Sequence, residues 1–227
     1  MLTHNDQTVA NCLEVLDQAL PLGLGHIGFK DVGVPPDIQA ELTRRIKAAG
    51  ATSYLEVVSE TPEACLDSAR IAVELGVDRL LGGTDIDAIG PVIEGSVTKG
   101  SPVAYYPFVG FPTGHPTRLG GTPQDIAQHC RSYMRQGAAG VDLLAYRASE
   151  ADPVELVRAA RQALPTGELI VAGSISTTAQ VNLMAEMGVD GITIGTAIFE
   201  NSFAPERPGI VGQLEAAIEA VAPLPHI

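Results

Sequence analysis

A chain of 227 residues with 45% hydrophobic and 4% aromatic residues, no tryptophan and 24 glycines has the profile of a parallel α/β protein, in which small aliphatic residues fill layers and glycine closes short loops. The formal net charge of −13 argues against nucleic acid or an anionic membrane surface as a partner, and opposes an anionic substrate at long range, so a phosphate has to be captured locally by main-chain N–H groups and helix N-termini. Cys12, Cys65 and Cys130 are scattered without CxxC spacing and read as reduced helix residues; together with the lack of a membrane-length apolar run or a basic-then-apolar N-terminus, this leads to the expectation of a cytoplasmic protein.

In chain order, short apolar runs at 1–5, 26–31, 54–58, 79–83, 103–108, 141–146, 169–173 and 191–195 read as strands. Amphipathic stretches follow them at 8–20, 36–49, 61–75, 84–91, 123–136, 152–163, 177–187 and 210–221. Pro35-Pro36-Asp37, Thr61-Pro62-Glu63, Thr122-Pro123 and Asp152-Pro153 supply helix starts, and Gly50, Gly76, Gly137 and Gly188 supply stops. Eight strand–helix units of roughly 28 residues predict a single (β/α)8 TIM barrel over residues 1–227. The rival, an open doubly wound sheet, is announced by a G-x-G-x-x-G turn after its first strand, and Asn5-Asp6-Gln7-Thr8 is not one. The longest irregular segment, 110–121, reads either as a lid after the fifth strand or as a tolerated surface excursion.

Residues 169–175 and 191–197 each form an apolar strand that stops at a small, Gly-containing turn and leads into a helix. Strands seven and eight are neighbours in a barrel, so both turns face one point on the C-terminal rim. Gly173 and Gly195 let main chain approach a ligand, while Ser174 and Thr196 add hydroxyl donors, helped by a short helix near 197–201. The alternative is a pair of tight turns whose glycines only relieve crowding. AGSI at 172–175 and GITIGTAIF at 191–199 resemble the ribulose-phosphate-binding barrel superfamily, which includes sugar-phosphate epimerases, phosphoribosyl isomerases, thiamine-phosphate synthase and sugar-phosphate decarboxylases. The resemblance is specific for 168–203 and elsewhere follows only the order of elements. It implies that Gly173, Ser174, Gly195 and Thr196 hold a phosphate, and that such barrels commonly form dimers or larger rings. Many members carry a second glycine where Ser174 stands, so a positive φ there would strain this chain.

Charges at inward positions near strand ends are costly and need a reason. Alternation turns Ile27 and Phe29 toward the helices and Lys30 inward, and likewise turns Leu55 and Val57 out and Glu56 in. Lys30 and Glu56 on adjacent strands form either an acid/base couple or a structural ion pair. Asp142 shares a face with Leu144 and Tyr146, as a catalytic or a buried structural carboxyl. Asp6, Tyr106, His115 and Arg147 are substrate-binding candidates at the rim, with Arg147 suited to a second anionic group and His115 and Arg118 suited to a lid. For Asp6, Asp31 and Asp85 a cap or loop role competes. The histidines, His4, His26, His115, His129 and His226, lack ligand spacing, so no cofactor is expected, with a carboxylate-bound Mg2+ beside the phosphate left open.

These residues suit an isomerase or epimerase that moves a proton next to the carbonyl of a small phosphorylated sugar. A lyase using Lys30 as Schiff-base nucleophile or proton donor is the first alternative. By resemblance, pyruvate-type aldolases carry their lysine on strand six, where this chain has none. The decarboxylase pattern Asp-x-Lys-x-x-Asp lies on strand three, whereas the lysine here is on strand two and Gly33 replaces the last acid. A non-catalytic phosphometabolite-binding protein is the third reading, and it has no need of an inward Lys–Glu pair.

Overall fold

The computed structural model describes residues 1–58, 61–98 and 100–221; His226 lies outside the described residues. The main strands are β1 (Thr3–His4), β2 (His26–Lys30), β3 (Thr52–Val57), β4 (Arg79–Gly82), β5 (Ala104–Tyr106), β6 (Gly140–Leu143), β7 (Glu168–Val171) and β8 (Gly191–Ile192). The helices are α1 (Cys12–Ala19), α2 (Pro36–Ala48), α3 (Pro62–Leu75), α4 (Ile86–Thr98), α5 (Pro123–Arg135), α6 (Pro153–Ala163), α7 (Thr178–Glu186), α8 (Thr196–Phe199) and α9 (Ile210–Val221). Side-chain caps set several starts: Thr61 Oγ1 accepts from Ala64 N–H, Asp152 from Val154 and Glu155 N–H, and Thr122 and Thr177 head full capping boxes. At the end of α3, Gly76 takes φ +66, a left-handed stop open to glycine at little cost.

Two parallel arcs make the (β/α)8 barrel. One runs β2-β3-β4-β5 and the other β6-β7-β8. They join on one side where Asp142 bridges Phe108, with Asp142 N–H donating to Pro107 O at 3.0 Å and Ala139 N–H to Tyr105 O at 3.0 Å. On the other side the first two residues close the ring: the Met1 nitrogen donates to Ile194 O at 2.9 Å and Leu2 N–H to Gly28 O at 2.7 Å. The expected first strand over 1–5 is therefore cut short. Asn5 and Asp6 adopt φ +49 and +60, and the chain doubles back so that β1 pairs antiparallel with Gln7–Thr8. Two positive φ values in succession match the twist of a two-residue hairpin turn, and the return strand delays α1 to Cys12.

Alternation sorts the side chains into two layers. Ile27, Phe29, Leu55, Val57, Leu80, Val141, Leu143, Leu169 and Val171 pack into the large core between sheet and helices. Inside the ring, Leu81, Tyr106 and Ile170 form a separate small cluster with Tyr54 and Ala104. Cys12, Cys65 and Cys130 are buried on α1, α3 and α5. Two expectations need correction. The α4 helix continues through Pro91 to Thr98 rather than ending near 91. Residues 110–121 are not irregular: Phe111–Thr113 and Arg118–Gly120 form an antiparallel hairpin. No helix among the described residues is long and apolar enough to cross a membrane.

Candidate active site

Lys30 and Glu56 are register partners at the C-terminal ends of β2 and β3, and both side chains point into the ring. Each residue is only 4% exposed, so their charges need partners. Lys30 Nζ lies 3.0 Å from Glu56 Oε1 and donates to Asp6 Oδ1 at 2.8 Å. The Thr8 hydroxyl accepts from Lys30 N–H at 2.8 Å and donates to Lys30 O at 2.9 Å, which ties the N-terminal hairpin to the end of β2. That hairpin brings Asp6 to the rim. Arg147, on the short 3-10 turn after β6, grips Asp6 with two nitrogens at 2.5 and 2.7 Å. Thr117 N–H, from the 110–121 hairpin, adds a fourth donor to Asp6 at 3.1 Å, and Thr117 O accepts from Arg147 at 3.3 Å. Asp6 thus gathers three loops, and its carboxylate is already saturated.

The electrostatics follow from this geometry. Burial alone would raise the Asp6 pKa, but hydrogen bonds from Arg147 and the charge of Lys30 outweigh it and hold the carboxyl well below the usual range. Burial alone would lower the Lys30 pKa, but Glu56 and Asp6 outweigh it and raise the value, so Lys30 is an ammonium ion.

Across the ring, the turns after β7 and β8 form the opposite wall. Gly173 and Ser174 take φ +77 and +59 in succession, so Ser174 does carry the strained conformation that a second glycine would avoid. A Cβ on Gly173 would sit 2.5 Å from Arg147 Nε, and one on Gly195 would sit 2.6 Å from Thr3 Oγ1. These glycines therefore admit protein neighbours, Arg147 and Thr3, a different reason from close approach to a ligand. Gln180 Oε1 takes up the N–H groups of Ser176 and Thr177. The N–H groups of Ser174, Ile175, Thr196 and Ala197 find no protein acceptor among the described residues.

Both walls line one cavity of about 610 Å3, which brings together Asp6, Lys30, Glu56 and Arg147 with Gly173, Ser174, Gly195 and Thr196. All four described non-glycine residues with positive φ cluster here: Asn5, Asp6 and Ser174 line it, and Asn201 lies between Glu200 and Ser202, which also line it. Strained backbone of this kind tends to collect at functional sites. Tyr106 is not brought to the rim. Its side chain runs toward the N-terminal end, where its hydroxyl donates to Glu168 at 3.0 Å. His115 is exposed on the hairpin and does not line the cavity, whereas its neighbours Pro116, Thr117 and Arg118 do. Asp142 lies fully buried on β6 and outside the cavity lining. Asp31 accepts from Val58 N–H and the Ser68 hydroxyl, and Asp85 caps α4 through Ala88 N–H. Sequence reasoning missed Thr3, Thr117, Ser149 and Ser202 in the lining. No periodic signal marks loop hydroxyls, and Thr3 reaches the site only because the chain doubles back at Asn5-Asp6. Among the described residues no group of three or more His, Cys, Asp or Glu side chains is arranged to hold a metal ion.

No protein-family model matches the chain, and no curated protein matches it in sequence. Solved structures do match in shape. The native KDPGal structure is 14% identical with a TM-score of 0.65 and covers 96% of this chain and 94% of that one. The (S)-3-O-geranylgeranylglyceryl phosphate synthase of Thermoplasma acidophilum, in complex with its substrate sn-glycerol-1-phosphate, is 15% identical with a TM-score of 0.63 and covers 96% and 88%. A mandelate oxidase variant with an FMN adduct is 16% identical with a TM-score of 0.60, over 92% of this chain and 68% of that one. These likenesses establish the barrel fold over nearly the whole chain, the fold implied by the resemblance of 168–203 to ribulose-phosphate-binding barrels.

Proposed function

We propose that this chain is an isomerase or epimerase that moves a proton next to the carbonyl of a small phosphorylated sugar. The observation that carries the reading is the Lys30 ammonium ion, held by two carboxylates on one wall of a cavity whose other wall offers unpaired main-chain N–H groups. Those N–H groups, with the Ser174 and Thr196 hydroxyls, suit a phosphate and need no favourable long-range field, which the net charge of −13 denies. The sn-glycerol-1-phosphate held by one structural neighbour supports a phosphorylated ligand for a barrel of this shape.

With the phosphate on that wall, the sugar carbonyl reaches Lys30, whose ammonium stabilises negative charge as it develops on the oxygen. The Glu56 carboxylate removes the proton from the neighbouring carbon and returns it to the new position. A Schiff-base lyase would require Lys30 as a neutral amine, and two flanking carboxylates oppose that form. The test is incubation with a panel of ketose and aldose phosphates in D2O, with and without borohydride. The expected result is deuterium at a carbon beside the carbonyl, no mass adduct on Lys30, and a rate reduced about a hundred- to ten-thousand-fold in Glu56→Gln. A borohydride-trapped adduct on Lys30 would transfer the assignment to a lyase, and neither signal on any sugar would leave a binding protein.

A further inference from the structure

The ring holds a third carboxyl that this reaction does not use. Asp142 is on β6, in register with Ile170 of β7 and bridged to Phe108 beyond β5. It is completely buried, and neither carboxyl oxygen has a hydrogen-bond partner in the structure. Asp6, also buried but lining the cavity, has four donors. The nearby charges are already matched, Lys30 and Arg147 against Asp6 and Glu56, so an ionised Asp142 would be an uncompensated negative charge without a donor. The charged groups acting on Asp142 are Glu56 from β3, Lys30 from β2 and Arg147 from the turn after β6, while the flanking Phe108 and Ile170 are apolar. Burial, and then the Glu56 charge, push the Asp142 carboxyl well above the usual range, and Lys30 and Arg147 only partly oppose this.

We propose that Asp142 is a positioning residue that carries a proton at neutral pH and so leaves Glu56 as the ionised base beside Lys30. In one dry site the carboxyls that hold a cation take the charge, as Asp6 and Glu56 do, and the one without a donor or a cation of its own keeps the proton. The proposal rests on the proton-transfer reading for its functional consequence. When Asp142 ionises at high pH, the ring gains a buried negative charge that opposes both the substrate phosphate and the charge developing on the substrate oxygen, so turnover falls. Stability follows the same sign. Because the folded chain binds this proton more tightly than the unfolded one, the contribution of Asp142 is complete below the ordinary value of 3.8 and is lost as pH rises toward the folded value.

Infrared spectroscopy of the whole chain in D2O tests the protonation without any substrate. The wild type is expected to show the carbonyl stretch of a protonated carboxylic acid at pH 7, and Asp142→Asn to lack it. In Glu56→Gln, which removes the charge acting most strongly against ionisation, the band should vanish at a pH at least about one unit lower than in wild type. This second variant keeps the test decisive if Asp142→Asn does not fold. Absence of the band at pH 7, or a disappearance at the same pH in Glu56→Gln, would overturn the proposal. In the deuterium-exchange assay, the high-pH limb of kcat/KM should move upward by at least about one unit in Asp142→Asn, and an unmoved limb would overturn the positioning role. Failure of the proton-transfer reading shows separately, as absence of exchange while the infrared band is present.

Discussion

Arginine–carboxylate pairs occur at both ends of this barrel, and their surroundings give them different work. At the N-terminal end Arg79 meets Glu168 at 2.5 Å, lies over the rings of Tyr54 and Tyr106, and shares Glu168 with the Tyr106 hydroxyl. The Glu168 side chain is 43% exposed, so water screens that pair. At the C-terminal end Arg147 meets Asp6, whose side chain is 2% exposed, and the pair continues through Lys30 to Glu56 beside an open cavity. The first arrangement finishes a packed end with aromatic rings and a solvated ion pair. The second withdraws four charges from water and holds them where a ligand can reach them. A barrel end can be closed without burying charge, so the buried cluster at the rim calls for a chemical explanation.

Lys30→Met should separate the two ends most sharply. It leaves Glu56 without its cation and Asp6 with one cation fewer, and should cost about 3–5 kcal/mol in urea unfolding while abolishing exchange. The rim also sets part of the acid sensitivity. Because the folded Asp6 pKa is depressed, its stabilisation is present above the ordinary value of 3.8 and is lost as pH falls through the folded value. Asp6→Asn should therefore flatten the fall of stability below about pH 4 in acid-titrated unfolding curves. A smaller loss, about 1–3 kcal/mol, is expected for Gly195→Ala, because the added methyl meets Thr3 Oγ1 and the Thr3 carbonyl and must push the N-terminal hairpin aside. Equilibrium unfolding and phosphate affinity should both report it. Smallest of all, Glu168→Gln at the opposite end should cost less than about 1 kcal/mol and leave exchange kinetics unchanged.

The parts legible in sequence were those governed by local rules. Strands two to eight, the capped helix starts and the inward directions of Lys30 and Glu56 follow from apolar alternation and turn residues, and the structure places them accordingly. Asp6 shows where local rules stop. Its main partner Arg147 lies 141 residues away, and nothing in either neighbourhood announces the pairing. The doubling back at Asn5-Asp6 was hidden because the turn lacks glycine, and the 110–121 hairpin was hidden because its prolines and glycines read as loop. Tyr106 was assigned to the rim from its place late on a strand, but a long side chain inside a barrel can extend along the axis, and this one ends on Glu168. Gly173 and Gly195 were read as points where main chain approaches a ligand, and the atoms found against them belong to the protein, to Arg147 and Thr3.

The most direct measurement is a crystal structure of Glu56→Gln with a bound ketose phosphate. The account predicts phosphate oxygens within hydrogen-bond reach of the Ser174, Ile175, Thr196 and Ala197 N–H groups, and the sugar carbonyl oxygen on Lys30 Nζ. A phosphate bound away from these turns, or a sugar that does not touch Lys30, would contradict it.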